Sequence, residues 1–190
     1  LLDALENFLD GTHNHFVHAG LVRSATARKA VQVTVRRGAD WVEAEYRGEE
    51  QQSGLIARLF VGNVTHSSGR FLLPATVQNE YHADARIVAR ITLYFTPRIE
   101  ERQEVFAVLT ARAPRWLGRL LSIPLAWLLG RVVGQDQRIL TVRKTNIQRF
   151  GGEHYTSTEL DLLRPDIDRL LQTGPLPPEA AGEKQITMLL

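Results

Sequence analysis

The chain has 190 residues, 44% hydrophobic and 23% charged, as expected of one globular domain large enough to bury a core. Its net charge of +2 gives no electrostatic footprint for a nucleic-acid partner. It has no cysteine, which excludes disulfides and thiolate-held metals within these residues and agrees with a cytoplasmic chain.

Residues 2–9 place Leu2, Leu5, Phe8 and Leu9 at helical spacing, so a helix is expected there. Gly11 ends it, and Thr12 is placed to cap the next turn. Residues 22–29 read as a polar loop. Residues 30–35 and 41–46 have strand composition and flank the turn signal Arg37-Gly38-Ala39-Asp40, which predicts a hairpin. Residues 47–53 are polar, and residues 55–61 form a short apolar run suited to bordering a pocket. Ser67-Ser68-Gly69 reads as a turn. Residues 71–81, 86–95 and 104–111 read as three antiparallel strands. In the second of these, Ile87, Ala89, Ile91, Leu93 and Phe95 share one face at period two.

Past Pro114 the period changes. Apolar residues run from Trp116 to Val133, interrupted by Pro124 and carrying Arg119 and Arg131. This reads as a helix too short and too charged to span a membrane, with Trp116 and Trp127 in the core. A second helix is expected over residues 136–150, opened by Asp136 and closed by Gly151-Gly152. A third is expected over residues 156–171 with a break at Pro165. A rigid linker over residues 174–178 and a final strand over 185–190 complete the chain. Strands followed by long helices indicate an α+β domain.

The chemistry concentrates near the N-terminus. Half of the six histidines, His13, His15 and His18, fall within six residues, just after Asp10. Imidazoles with a carboxylate form the ligand set of mononuclear Fe, Zn, Cu or Ni sites. On a regular helix His15 and His18 share a face. His13 and His18 converge only at a widened turn or at an irregular helix start, so spacing alone leaves both pairs open. His66, His82 and His154 are isolated in sequence. Asp40, Asp84, Asp161 and Asp166 compete with Asp136 as a third ligand. No Gly-x-Ser-x-Gly elbow or phosphate loop occurs.

Residues 6–18, Glu-Asn-Phe-Leu-Asp-Gly-Thr-His-Asn-His-Phe-Val-His, resemble the iron-binding segment of the Rieske-type non-heme iron aromatic-ring-hydroxylating oxygenases. The catalytic α subunit of that family typically carries Glu-Asn-Phe-x-Asp-x-x-His-x4-His. Gln135-Asp136-Gln137-Arg138-Ile139-Leu140 resembles the downstream segment that supplies the family's acidic ligand. The resemblance implies that His13, His18 and Asp136 bind Fe(II) and that Asp10 bridges toward a neighbouring subunit's cluster. Asn7, near the same face, reads either as a polar group of the pocket or as a structural residue. His15 is then the surplus histidine, solvent-facing or pocket-lining. The implied fold is helix-grip, an antiparallel sheet on long C-terminal helices around a hydrophobic cavity.

The implied reaction uses O2 to hydroxylate, dihydroxylate or demethylate a hydrophobic, aromatic substrate. Electrons reach it from NAD(P)H through a reductase or ferredoxin. A Rieske [2Fe-2S] cluster needs two cysteines, so residues 1–190 are expected to be a single catalytic domain, with the cluster on an upstream domain and a homotrimer as the assembly. The competing expectations are a non-enzymatic hydrophobic-ligand carrier on the same scaffold and a Zn-dependent hydrolase using the same triad.

Overall fold

Alternation builds the sheet. In β1 (Ala30–Arg37) Val31, Val33 and Val35 are buried while Gln32 is exposed. This β1 pairs with β2 (Trp41–Arg47), β2 with β3 (His66–Leu72), β3 with β4 (Thr76–Ala83), β4 with β5 (Arg86–Pro97) and β5 with β6 (Gln103–Ala111). The last strand, β7 (Gly182–Leu189), returns to the free edge of β1. The result is one antiparallel sheet in the order β6-β5-β4-β3-β2-β1-β7. Three helices accompany it: α1 (Leu2–Leu9), α2 (Arg115–Arg149) and α3 (Arg164–Thr173). This is the α+β helix-grip domain expected from the sequence. The computed structural model describes residues 1–23, 29–48, 64–98, 102–112, 114–154, 156, 158–177 and 181–189. The apolar run at residues 55–61 and most of the expected loop at residues 22–29 lie outside the described residues.

The core lies between the sheet and the helices α1 and α3. Leu5 and Leu9 of α1, with Ile167 and Leu170 of α3, meet Val33, Val42, Phe71, Val77 and Leu93 of the sheet. Phe8 adds an edge-to-face contact with Phe95, ring centroids 5.8 Å apart. The end of α1 presses directly on β3. A Cβ on Gly69 would lie 3.1 Å from Leu9 and from the Asn79 side chain, so glycine gives the helix this approach without displacing either side chain. Asn79 Nδ2 donates to the Phe8 carbonyl at 3.0 Å, satisfying one of the acceptors that a helix end leaves bare.

Several sequence expectations change here. Ser67, Ser68 and Gly69 lie inside β3 rather than in a turn. The glycine there answers the clearance needed by α1. The expected strand at 71–81 is divided between β3 and β4 at Leu73–Ala75, where Pro74 has no N–H to continue the ladder. Pro165 does not break α3 but stands in its first turn, where a missing N–H costs nothing. His66 and His82 are not isolated, since they stack across β3 and β4 with centroids 4.3 Å apart.

The largest change is α2. One helix of 35 residues runs through Pro124 and past Gly134, so Asp136 sits in mid-helix and does not open one. Trp116 and Trp127 are 69% and 64% exposed rather than core. By length and composition this helix could cross a membrane, and only 6% of its most apolar window is buried. Among the described residues, α2 supplies no member of the core cluster.

Candidate metal centre

The site begins where α1 stops. Asp10 leaves helical geometry at φ −72° and ψ 111°. Its carboxylate accepts from the Thr12 N–H at 2.7 Å and the Thr12 hydroxyl at 2.6 Å, a local turn that competes with further helix. A 3-10 turn, His13–His15, follows. Arg23, only 3% exposed, donates to the Gly11 carbonyl and ties the loop down. Because the chain has left the α-helix, the helical wheel that favours His15 with His18 no longer applies. His13 and His18 come together instead, rings edge-to-face with centroids 5.1 Å apart. His15 turns away, buried, and lines a cavity of about 290 Å³ with Leu9, Tyr46, Leu163 and Met188. It is pocket-lining.

Both histidines are oriented through Nδ1. His13 Nδ1 donates to the Asp10 backbone carbonyl at 2.6 Å, and His18 Nδ1 donates to Gln135 Oε1 at 2.9 Å. Each bond fixes the ring and aims Nε2 into the site, as metal-binding imidazoles require. The Asp10 carboxylate stands 3.9 Å from His13 Nδ1, beyond hydrogen-bond range. The contact that orients His13 is therefore made by the main chain of Asp10, not by its carboxylate.

Asp136 comes from the other end of the chain and is 2% exposed. Its Oδ1 lies 2.9 Å from His18 Nε2 and 3.6 Å from His13 Nε2, and it accepts from Asn7 Nδ2 at 2.9 Å. His18 Nε2 is fully buried, yet makes no aligned hydrogen bond despite that short distance. The ligand atoms of His13, His18 and Asp136 lie within 4.8 Å of one another. Such a group of donors could hold one metal ion. Asp40, Asp84, Asp161 and Asp166 join no such group among the described residues.

The electrostatics agree. Burial pushes the Asp136 carboxyl up, but the imidazoles of His13 and His18 and the Asn7 amide outweigh it and hold the group well below the usual carboxylate range. Burial pushes His18 down, and the contacts with Asp136 and Gln135 outweigh that and raise it. Both shifts favour a proton on the imidazole beside an ionised carboxylate, the proton that a bound cation would displace.

Two contributors were not legible as such. Gln135 orients His18, and its position beside Asp136 was the available signal. An ionic knot holds the three helices together: Arg143 of α2 and Arg164 of α3 each lie 2.9 Å from Asp3 Oδ1 of α1 and also pair with Glu6. Nothing in the sequence marks those partners. On the Asp10 side a cavity of about 430 Å³, lined by Asn7, Asp10, His13, Val17 and His154 among others, leads to the site.

One antiparallel sheet, with α1 and α3 packed on it, thus brings together two histidines from a turn and one carboxylate from a long helix. The chain belongs to the vanillate O-demethylase oxygenase C-terminal domain family, whose profile matches residues 3–171. Its fold is similar to that of Pseudomonas putida CBB5 NdmA, solved with caffeine, with a TM-score of 0.60 and 14% identity. The match covers 90% of this chain and 47% of NdmA, so the chain spans about half of that protein's length. No curated protein matches the chain.

Proposed function

We propose that His13, His18 and Asp136 hold a mononuclear Fe(II), and that the domain uses O2 to hydroxylate, dihydroxylate or demethylate a hydrophobic, aromatic substrate. The observation that carries this reading is the convergence of two imidazole Nε2 atoms and one buried carboxylate. Two histidines and one carboxylate with positions left open form the ligand set of non-heme iron oxygenases. The family match supports the reaction class, and the caffeine in the NdmA structure supports a flat, methylated aromatic substrate.

Iron, when bound, supplies the redox chemistry. The chain supplies orientation and charge. Asp10 and Gln135 fix the two imidazole tautomers, while Asn7 steadies the carboxylate oxygen that faces them. A cysteine-free chain takes its electrons from a Rieske cluster on another domain, fed from NAD(P)H by a reductase or ferredoxin. Asp10 is the entry point in this reading. Its carboxylate is 36% exposed on the cavity that leads to His13, open to a cluster histidine of a neighbouring subunit in a homotrimer.

The test is an anaerobic Fe(II) titration followed by O2 uptake and product analysis in the full-length, reduced protein. One equivalent of iron should bind, and His13→Ala, His18→Ala or Asp136→Ala should abolish stoichiometric binding and product. Tight binding of Zn(II) alone, with no O2-dependent product, would replace the oxygenase reading with a hydrolytic one.

A further inference from the structure

Between Glu104 and Asp136 the chain carries four arginines, Arg112, Arg115, Arg119 and Arg131, and no acidic residue. In this stretch the N-terminal half of α2 is apolar on two opposite sides. Leu117, Leu121, Leu125, Leu128 and Val132 recur at helical spacing and are buried or half-buried. Trp116, Leu120, Ile123 and Trp127 recur at the same spacing on the other side and are 69%, 67%, 79% and 64% exposed. At roughly 100° per residue, these four side chains fall within an arc of about 60°. Arg119 and Arg131 then stand about 60° to either side of the stripe. The Arg131 guanidinium lies 5.3 Å from the Trp127 ring centre.

An apolar stripe of this size left in water marks an interaction surface. Its chemistry selects the occupant. Tryptophans stand at both ends, aliphatic side chains lie between them, cations flank the stripe, and no anion occurs in the sequence from Val105 to Gln135. That is how a helix lying in a membrane interface is built. Rings sit at headgroup depth, leucine and isoleucine enter the acyl boundary, and arginine heads reach lipid phosphates while their stems stay on apolar surface. Spanning is ruled out by the other half of α2, because Asp136 is buried against Asn7 and His18 and Arg143 is paired with Asp3 and Glu6.

We propose that Trp116, Leu120, Ile123 and Trp127, flanked by Arg119 and Arg131, seat this protein on an anionic lipid surface, with the N-terminal half of α2 lying in the plane of the membrane. The surface is separate from the metal ligands and does not depend on the reading of the metal centre.

The experiment is cosedimentation of the purified full-length chain with vesicles of phosphatidylcholine, alone or mixed with phosphatidylglycerol. The protein should partition onto the mixed vesicles, stay in solution with phosphatidylcholine alone, and be released by high salt. Arg119→Ala should weaken partitioning about fivefold. Trp116→Ala combined with Trp127→Ala should weaken it roughly tenfold or more. Far-UV circular dichroism should match wild type in both variants, since both rings are exposed. Failure to bind mixed vesicles, or binding undiminished in the tryptophan variant, overturns the proposal. Sedimentation velocity supplies the alternative: self-association lost in the same variant, without vesicle binding, would assign the stripe to contact between copies.

Discussion

Replacing Asn7 with Ala removes one donor from a carboxylate that has almost no access to water. Asn7 Nδ2 donates to Asp136 Oδ1 at 2.9 Å, and Asp136 is 2% exposed, so little solvent stands in place to replace the donor. A hydrogen bond to a charged group contributes about 1.5–3 kcal/mol. Losing an orienting partner of a metal ligand typically weakens metal binding about 10–100-fold, which corresponds to about 1.4–2.8 kcal/mol. The two ranges agree because they describe the same loss: a carboxylate freed to rotate out of the convergent geometry. We expect Asn7→Ala to weaken Fe(II) binding by that factor in an anaerobic titration, while His13 and His18 still support one equivalent. Asn7→Asp should be worse, because it sets a second carboxylate against the first. Unchanged or tighter binding in Asn7→Ala would refute the reasoning, since it would mean that Asn7 competes with the metal for Oδ1 rather than holding that oxygen for it.

His15→Ala should keep stoichiometric Fe(II) while lowering unfolding free energy by about 1–3 kcal/mol, as loss of a buried side chain does; iron loss in this variant would reassign the ligand register. The pH dependence follows from two opposite shifts. Asp136 is depressed from 3.8, so its contribution to the metal-free fold is present above that value and lost as pH falls through the folded one. His18 is raised from 6.5, so its contribution is present below 6.5 and lost as pH rises through its folded value. Metal-free protein should therefore be most stable between those limits, while Fe(II) affinity climbs as pH passes the raised His18 value; denaturant titration and calorimetry in several buffers check both. Ile167→Ala, at 0% exposure, should cost about 2–5 kcal/mol in urea unfolding. Asp10→Asn keeps an acceptor for Thr12 and the backbone carbonyl for His13, so Fe(II) affinity should stay within about threefold. In the full-length protein it should still stop oxidation of a pre-reduced cluster in stopped flow, and wild-type oxidation rates would remove the bridging role.

Strands β1 and β5 were legible because their alternation admits one buried face. The group His13, His18 and Asp136 was legible through residue identity at fixed offsets, not through geometry. Helical spacing would have paired His15 with His18, and the turn that Asp10 and Thr12 impose reverses that choice. Asp136 was found while its setting was missed. Gly134 looked like a helix boundary, yet α2 passes through it, held on the far side by Asp136 and Arg143. Tryptophan placement failed for a different reason. Residues 116–133 are apolar on two sides, so periodicity gives no direction for the core, and Trp116 and Trp127 face outward. Gly69 shows the same limit in reverse, because a residue that commonly marks turns is there for clearance under a helix that arrives from sixty positions away.

The length of α2 also has a mechanical consequence. Asp136 and Arg143 are about 10 Å apart along the axis, and Trp116 lies about 30 Å beyond Asp136. The two polar attachments make a fulcrum between them, roughly 5 Å from Asp136 and 35 Å from the tip. Pushing the tip sideways by about 3 Å then shifts Asp136 by only about 0.4 Å, inside the roughly 0.5 Å tolerance of a working site. Pro124, which withholds the N–H that the Leu120 carbonyl would accept, is a compliant joint on the long arm and absorbs part of that push. The helix therefore works as an unequal lever: knocks and drag at its far end arrive at Asp136 as displacements too small to part it from His13 and His18.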